Sequence, residues 1–186
     1  MNGYIYTLYA GADPGHGWEM NDPIFGAKST LGACVPNIRR SVREGDWVFV
    51  VSGRVRGERQ FVVGGFKVNE KIDQLTAYNR FPENRLHRAA NGQLLGNVII
   101  TADGKQHPED THQNFERRIE NYIVGGEPVA LASPAEMDRG RAETLAVLGR
   151  IFGRDGNRVF DIIGRSRKME QQQVEELRAW LEALKR

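Results

Sequence analysis

Residues 22–53 read DPIFGAKSTLGACVPNIRRSVREGDWVFVVSG, and the two halves of this stretch differ in character. The second half contains the apolar run WVFVV at residues 47–51, which is β-branched and aromatic and is bounded by Gly45 and Gly53. Such a run is typical of a strand buried on both faces of a sheet. The first half is too polar and too rich in glycine and proline to be core. It predicts a loop or short helix that presents side chains to a partner, held in place by the strand.

Further strands are predicted on both sides of this run. The segment YIYTL at residues 4–8 alternates in polarity and is aromatic and β-branched, as strands of a sheet are. Gly57 separates two β-like segments and predicts a hairpin. Gly64-Gly65 predicts a bulge or a sharp bend in the return strand, and such bends are how a small sheet curls into a barrel. The predicted strands are residues 4–8, 47–51, 60–63 with 66–68, 97–101 and 128–132.

The chain changes from strands to helices at Ser133-Pro134, where serine suits a helix cap and proline suits the first helical position. Amphipathic helices are predicted over residues 142–152 and 169–185. Because the strands come first and the helices last, we expect an α+β fold. The expected organisation is a core domain over residues 1–133 and a helical extension over residues 134–186 packed on it. The apolar stripe of the last helix could also serve as a homodimer face.

The composition favours one compact domain with an appendage, since the chain has 186 residues, of which 40% are hydrophobic and 27% charged. The net charge is only +2, but the basic residues are clustered, and local positive potential steers anionic partners. The single cysteine, Cys34, excludes an internal disulfide, and no leader or membrane-spanning run is evident, so we expect a cytoplasmic protein. The basic clusters are Arg39, Arg40, Arg43, Arg54, Arg56 and Arg59, and then Arg165, Arg167 and Lys168.

Conventional catalytic signatures are absent from the sequence, which has no phosphate loop, no dinucleotide fingerprint and no nucleophile elbow. Residues 107–112, HPEDTH, resemble a metal-ligand cluster, but Pro108 opposes regular presentation and a polar loop is the favoured interpretation. Cys34 lies near Arg39 and Arg40, which could lower its pKa, yet a lone cysteine among small residues is typical of a packed thiol. We therefore expect no cofactor, no metal and no catalytic residue, and we favour a binding protein over an enzyme.

The remaining candidate residues suit nucleic-acid binding. Arg39 and Arg40 follow Pro36, which starts a short predicted helix, so their guanidinium groups are expected near solvent, where they would contact phosphate. Aromatic planes would hold a base, and small hydroxyl groups would line a pocket for a flipped base. In the alternative interpretation the arginines pair with nearby carboxylates and the aromatic side chains belong to the core. The predicted binding residues are Trp18, Phe25, Ser29, Thr30, Arg39, Arg40 and Ser52.

Several motifs in residues 25–48 are similar to the signature of the nucleotide modification associated domain 2 family. That family has, in this order, a Phe/Tyr-Gly pair, a Thr-Leu-Ala-x-Cys-x-Pro run, an arginine pair, and Gly-Asp-Trp opening a strand. The present chain keeps the order and has Gly32 inserted between Leu31 and Ala33. The resemblance covers residues 4–68. The matching residues are Phe25-Gly26, Thr30-Leu31, Ala33-Cys34, Pro36, Ile38-Arg39-Arg40 and Gly45-Asp46-Trp47-Val48.

The resemblance implies a cytoplasmic protein of bacteria or phages that is linked with modified nucleotides in DNA. It also implies a PUA-like or EVE-like curled sheet or small β-barrel. We therefore predict a protein that binds nucleic acid or a nucleotide, with a modified base in DNA as the recognised group and DNA modification or phage defence as the setting. Two alternatives stay open: an enzyme acting on a modified nucleotide through Cys34, Asp46 or a histidine, and an interaction module that dimerises through the last helix.

Overall fold

The computed structural model describes every residue from Met1 to Arg186 and has the predicted α+β fold. The strands are β1 (Gly3–Thr7), β2 (Ser29–Leu31), β3 (Trp47–Val51), β4 (Val62–Ile72), β5 (His87–Arg88), β6 (Leu94–Leu95), β7 (Tyr122–Ala130) and β8 (Ser166–Met169). The α-helices are α1 (Pro36–Ser41), α2 (Gln74–Arg80), α3 (Pro134–Phe152), α4 (Val159–Ile163) and α5 (Gln171–Leu184). Short 3-10 helices lie at Pro14–His16, Pro82–Asn84 and Phe115–Arg117.

Six strands form one mixed sheet in the order β2-β7-β4-β3-β1-β8, and β5 and β6 form a separate ribbon. The sheet is open, with β2 and β8 at its edges, so the predicted small β-barrel is wrong. The sharp bend expected at Gly64-Gly65 is absent, because both residues lie inside the continuous strand β4, but a bulge is present next to Gly64 in the pairing of β4 with β3. A Cβ at Gly65 would lie 2.3 Å from the ring of Phe49, and one at Gly64 would lie 2.5 Å from the carbonyl oxygen of Val129. These glycines permit close packing of neighbouring strands and do not form a corner.

The chain divides into two compact units that are each assembled from separate segments. Unit 1 comprises residues 1–18, 45–67 and 127–186, and unit 2 comprises residues 19–44 and 68–126. This division differs from the predicted one after residue 133, because the C-terminal part of the chain returns to the N-terminal strands of unit 1 in β8.

Unit 1 is built around β3, in which every residue is buried, as its apolar run predicts. Strand β3 pairs in parallel with β1 from Gly3↔Trp47 onward and antiparallel with β4. Its register with β4 shifts between Val50 and Val51, whose partners are Gly64 and Val62. Val63 of β4 therefore has no partner in β3 and forms a bulge. The bulge lies close to the loop of the hairpin that is predicted around Gly57.

Two long helices complete unit 1. Helix α3 begins with a capping box in which Ser133 and Glu136 satisfy each other's backbone N–H groups, as the Ser-Pro start predicts. Helix α5 buries its apolar stripe within the chain, with Val174, Leu177 and Leu181 0% exposed. A homodimer through α5 would therefore have to use the polar face of this helix. None of the five α-helices combines the length and apolar character that crossing a membrane requires.

Unit 2 has a small core of its own. Antiparallel strands β2 and β7 pair from Ser29↔Gly125 to Leu31↔Ile123. The strand predicted at residues 97–101 makes only isolated bridges, Arg85↔Val98 and Ile100↔Gln106. The backbone of this segment makes individual hydrogen bonds in place of a strand ladder. For example, the N–H of Ile99 donates to Oε1 of Gln74 at 3.0 Å. The buried cluster consists of Ala77, Phe81, Val98, Ile100, Tyr122 and Val124.

Candidate nucleic-acid interface

One carboxylate organises the turn that leads from β2 into α1. Asp22 is 3% exposed. Its Oδ1 accepts the N–H of Gly32 at 2.7 Å, and its Oδ2 accepts the N–H of Ala33 at 2.9 Å and the N–H of Cys34. Hydrogen bonds to an ionised acceptor are stronger than neutral ones, particularly away from water. The Gly-Ala-Cys turn is therefore held from beneath by a single side chain.

A second set of buried polar side chains surrounds this turn. Asn97 donates through Nδ2 to Asp22 Oδ1 at 3.1 Å and to Thr30 Oγ1 at 3.0 Å. Asn84 donates to Thr30 Oγ1 at 3.2 Å and to the Tyr122 hydroxyl at 3.1 Å, and that hydroxyl donates to Asn97 Oδ1 at 2.6 Å. Burial raises the pKa of Tyr122, which keeps the phenol protonated as a donor. The Thr30 hydroxyl therefore belongs to an internal network.

Gly32, the residue inserted into the family-like run, lies against this network. A Cβ at this position would lie 2.3 Å from the carbonyl oxygen of Asn97 and 2.4 Å from the Tyr122 ring. Gln74 closes the same contact by donating through Nε2 to the carbonyl oxygens of Gly32 at 2.8 Å and Asn97 at 3.1 Å. Only glycine fits here without displacing the network.

Arg39 is 0% exposed and serves as an internal clamp. Its Nε donates to the carbonyl oxygen of Cys34 at 2.8 Å and its Nη2 to that of Ala33 at 3.2 Å. Its Nη1 donates to the carbonyl oxygens of Arg118, at 3.0 Å, and Asn121. The expected position near solvent is therefore wrong for Arg39, because this residue lies on the buried side of α1 with Ile38, while its neighbour Arg40 is exposed.

The other predicted binding residues are divided between the two units. Trp18 and Ser52 belong to unit 1, and Phe25, Ser29, Thr30, Arg39 and Arg40 belong to unit 2. Ser29 and Ser52 are both buried. The Ser29 hydroxyl donates to the carbonyl oxygen of Gly26 at 3.1 Å, and the Ser52 hydroxyl accepts the N–H of Phe61 at 3.1 Å. The Ser29 hydroxyl closes a local turn, whereas the Ser52 hydroxyl joins the two arms of the loop between β3 and β4. Phe25 is half-buried, and Arg40 is exposed.

The thiol of Cys34 is not set up as a nucleophile. Burial raises its pKa above the ordinary range of a thiol, and the neighbouring Asp22 carboxylate raises it further, whereas Arg118 and Arg39 oppose this only in part. Asp46, another candidate for an enzymatic role, is buried and accepts the N–H of Asn2 at 2.8 Å. The environment of Cys34 is therefore not that of an activated nucleophile.

We expect Cys34 in the folded protein to react with iodoacetamide at least about tenfold more slowly than in the chain unfolded by guanidinium, because the thiolate is the reactive form. The sign of the pH effect follows: a thiol pKa raised by folding stabilises the fold below the ordinary thiol pKa, and this contribution is lost as pH rises above it. Mass spectrometry of the alkylated protein measures the rates, and urea unfolding at a series of pH values measures the change in stability. Equal rates for the folded and unfolded chain would contradict the buried thiol.

The histidines of residues 107–112 do not converge on a metal site. His112 Nδ1 lies 2.5 Å from Asp110 Oδ1, and His107 Nδ1 accepts the N–H of Glu109 at 3.2 Å. No group of three or more histidine, cysteine, aspartate or glutamate side chains in the chain is arranged to hold a metal ion. The segment is a polar loop, in which the lowered pKa of Asp110 reflects its hydrogen bonds to His112 and Gln106, which outweigh its desolvation.

Trp18 forms an aromatic pair on the surface of unit 1. Its ring lies edge-on to that of Tyr9, with 5.8 Å between ring centroids, and its Nε1 donates to the Tyr9 hydroxyl at 2.9 Å. The Tyr9 side chain is 58% exposed, whereas Trp18 is half-buried. Trp18 therefore supports Tyr9, and the more accessible aromatic plane belongs to a residue outside the predicted binding set.

An arginine-rich loop is bonded to the segment that carries this pair. The loop between β3 and β4 contains the exposed residues Arg54 and Arg56, whose guanidinium groups make no hydrogen bond or ion pair within the chain. The carbonyl oxygen of Arg54 accepts the N–H of Gly11 at 3.0 Å, and the N–H of Gly53 donates to the carbonyl oxygen of Ala12 at 2.7 Å. An exposed aromatic plane and free guanidinium groups thus lie on two segments joined by backbone hydrogen bonds.

Sequence analysis missed Tyr9, because an aromatic residue at the end of a predicted strand is most simply interpreted as core. It also missed Asp22, Asn84, Asn97 and Tyr122, whose roles depend on hydrogen bonds between distant parts of the chain. The clustered charge of the arginines in the β3–β4 loop is visible in the sequence, and it is the one sequence signal that points to this part of unit 1. No protein-family model matches this chain, and neither a curated protein nor a solved structure is significantly similar to it.

Proposed function

We propose that this protein binds nucleic acid or a nucleotide and recognises a modified base in DNA, in bacterial or phage DNA modification or defence. The observation that supports the proposal is the exposed Tyr9–Trp18 pair bonded to the arginine-rich loop of unit 1. Proteins hold exposed bases by stacking them on aromatic planes and hold the backbone through guanidinium–phosphate contacts. Both kinds of group are available here on adjoining segments.

The rings are held in place before any ligand arrives. The Trp18 Nε1–Tyr9 hydroxyl bond fixes the angle between the two rings, and edge-to-face packing adds to it. The backbone of Tyr9 packs closely against Gly53, since a Cβ at Gly53 would lie 1.9 Å from the Tyr9 carbonyl oxygen. A ring that is already ordered loses little conformational entropy on binding, which favours its use as a stacking platform.

We also propose kinship with PUA-like and EVE-like domains. The motif order of residues 25–48 supports this, together with an open mixed sheet whose strand β4 carries a bulge. In this proposal Phe25 and Arg40 of unit 2 keep the roles predicted from their chemistry, as a pocket residue and a phosphate contact. Ser29, Thr30, Ser52 and Arg39 shape the backbone from inside, because their polar groups are occupied by internal hydrogen bonds.

Fluorescence-polarisation titrations against matched DNA duplexes, plain or containing modified cytosine or adenine, at two salt concentrations test the function. We expect Tyr9→Ala to weaken binding about tenfold, since stacking on an aromatic side chain contributes roughly 1–3 kcal/mol per base. We expect the double variant Arg54→Ala/Arg56→Ala to reduce the slope of log K against log salt by roughly one for each phosphate that the arginines no longer neutralise.

Leu75→Ala is the matched control for Tyr9→Ala, because Leu75 is another exposed large apolar residue and lies on α2 in unit 2. Arg165→Ala/Lys168→Ala removes two charges from unit 1 without altering the β3–β4 loop. Both controls should bind as the unaltered protein does. If no duplex binds, or if Tyr9→Ala and the arginine variant bind with unchanged affinity and salt slope, the proposed interface is wrong.

A further inference from the structure

A second basic feature of unit 1 is a groove that the proposed function does not use. Its volume is about 340 Å³, within the range of small-molecule sites. Leu145 and Ile162 contribute apolar surface to its lining, and Arg59, Arg150 and Arg154 place three guanidinium-bearing side chains around it. We infer that this groove binds a phosphate-bearing ligand of nucleotide size.

Arg59 is positioned by a buried ion pair. The carboxylate of Asp13, 1% exposed, receives Arg141 Nη1 at 2.9 Å and Nη2 at 2.6 Å. The same Nη1 of Arg141 donates to the carbonyl oxygen of Arg59 at 2.6 Å. The guanidinium of Arg141 also lies 4.6 Å from the centroid of the Phe61 ring. The backbone of Arg59 is therefore pinned against α3, and its own side chain is left to line the groove.

Arg150 and Arg154 flank the end of α3. Gly153 takes a left-handed conformation with φ 58° and ends the helix, and the N–H of Arg154 then donates to the carbonyl oxygen of Gly149 at 3.0 Å. The carbonyl oxygen of Ile151 is satisfied by Nε2 of Gln173 at 3.0 Å. Since backbone and amide groups cap these carbonyls, neither arginine side chain is used as a helix cap.

The charges of the groove are unbalanced. The guanidinium groups of Arg59, Arg150 and Arg154 make no ion pair or hydrogen bond within the chain, and Asp155 is the one acidic residue in the lining. The three arginines repel one another, and the single carboxylate of Asp155 offsets only part of this repulsion. A bound anion would relieve the rest, and the guanidinium fork matches the geometry of phosphate oxygens. The apolar surface of Leu145 and Ile162 would receive the sugar or base edge of a nucleotide.

The phosphate could come from a free nucleotide or from a nucleic-acid chain. Thermal unfolding of the full chain is measured with sodium pyrophosphate, with dCMP, with deoxycytidine, and with NaCl at matched ionic strength. Binding to the folded state alone raises Tm, by about 5 °C or more when the ligand exceeds its Kd a hundredfold. We expect pyrophosphate and dCMP to raise Tm above the value measured in NaCl. Deoxycytidine, which has no phosphate, should give the same Tm as NaCl.

The triple variant Arg59→Ala/Arg150→Ala/Arg154→Ala should lose this rise in Tm, as should Ala146→Glu, which introduces a carboxylate into the lining from an exposed position on α3. Ala146→Glu keeps the test informative if the triple variant folds poorly. The control Arg165→Ala/Lys168→Ala/Arg186→Ala removes the same formal charge outside the groove and should keep the rise.

Pyrophosphate that acts no differently from NaCl, or a rise in Tm that both groove variants retain, would overturn the inference. Competition by oligonucleotides with and without a 5′-phosphate identifies the source of the ligand. If only the phosphorylated end competes with dCMP, the site takes terminal or free phosphates; if both compete, it takes backbone phosphates. The groove and the proposed DNA interface are tested independently. Tyr9→Ala and Arg54→Ala/Arg56→Ala should keep the full rise in Tm with pyrophosphate, even if no DNA duplex binds.

Discussion

Replacing Arg39 by alanine is expected to lower the free energy of unfolding by about 3–5 kcal/mol, the largest effect of any single substitution proposed for this protein. The change removes four hydrogen bonds from a fully buried guanidinium to main-chain carbonyl oxygens. The carbonyl oxygens of Cys34 and Asn121 would lose this donor, and an unsatisfied buried polar group costs roughly 1–3 kcal/mol. Urea unfolding followed by circular dichroism and fitted with a common m-value measures the loss.

The adjacent Arg40→Ala is the matched control, because it removes the same side chain from an exposed position on the same helix. Its effect on stability should stay within about 0.5 kcal/mol, as for most surface substitutions. Any loss of DNA affinity in Arg40→Ala would then reflect a direct contact. A stability of Arg39→Ala within about 1 kcal/mol of the unaltered protein would contradict the clamp.

The second large effect is expected from Asp22→Asn, at about 2–4 kcal/mol of lost unfolding free energy. Oδ1 accepts from the Gly32 N–H and from Asn97, and Oδ2 accepts from the N–H groups of Ala33 and Cys34. In either orientation an asparagine amide would place its NH2 against two donors, so at least two hydrogen bonds are lost without any change in size. Urea titration measures the change, and hydrogen exchange at the three turn amides locates it.

Asp138→Asn serves as the reference, since Asp138 is exposed on α3 and makes no hydrogen bond or ion pair. It should unfold at the same urea concentration as the unaltered protein, within about 0.5 kcal/mol. Unchanged exchange protection at Gly32, Ala33 and Cys34 in Asp22→Asn would show that the carboxylate does not hold the turn.

The elements with strong local signals were predictable. Trp47–Val51 is a buried strand because an uninterrupted β-branched and aromatic run has no polar side to expose. Helix α3 starts at Pro134 because Ser133 caps it. Strand β8, in contrast, has the sequence SRKM, and nothing in those four residues distinguishes a strand from a polar loop. It is a strand because β1 offers an unpaired edge, which is tertiary information.

The candidate site was predictable only in its chemistry. Arg39 and Arg40 are neighbours of the same type, and sequence alone does not state that the first is a clamp and the second faces solvent. The inward direction of the Arg39 side chain depends on its hydrogen bonds to the carbonyl oxygens of Arg118 and Asn121, which are distant from Arg39 in the sequence. Of the basic residues noted in the sequence, Arg54, Arg56 and Arg59 lie in the loop between β3 and β4. The groove around Arg59 also requires residues of α3, which no spacing rule connects to β3.

Strand β8 also bears on when unit 1 can be completed during synthesis. Its residues pair with β1 from Gly3↔Met169 to Tyr6↔Ser166, so β1 is synthesised well before the strand that covers its edge. Until then the outer edge of β1 keeps unpaired backbone groups, the template on which nascent chains join one another. Chaperones that cover extended segments would thus act on β1, and their release would depend on the synthesis of β8.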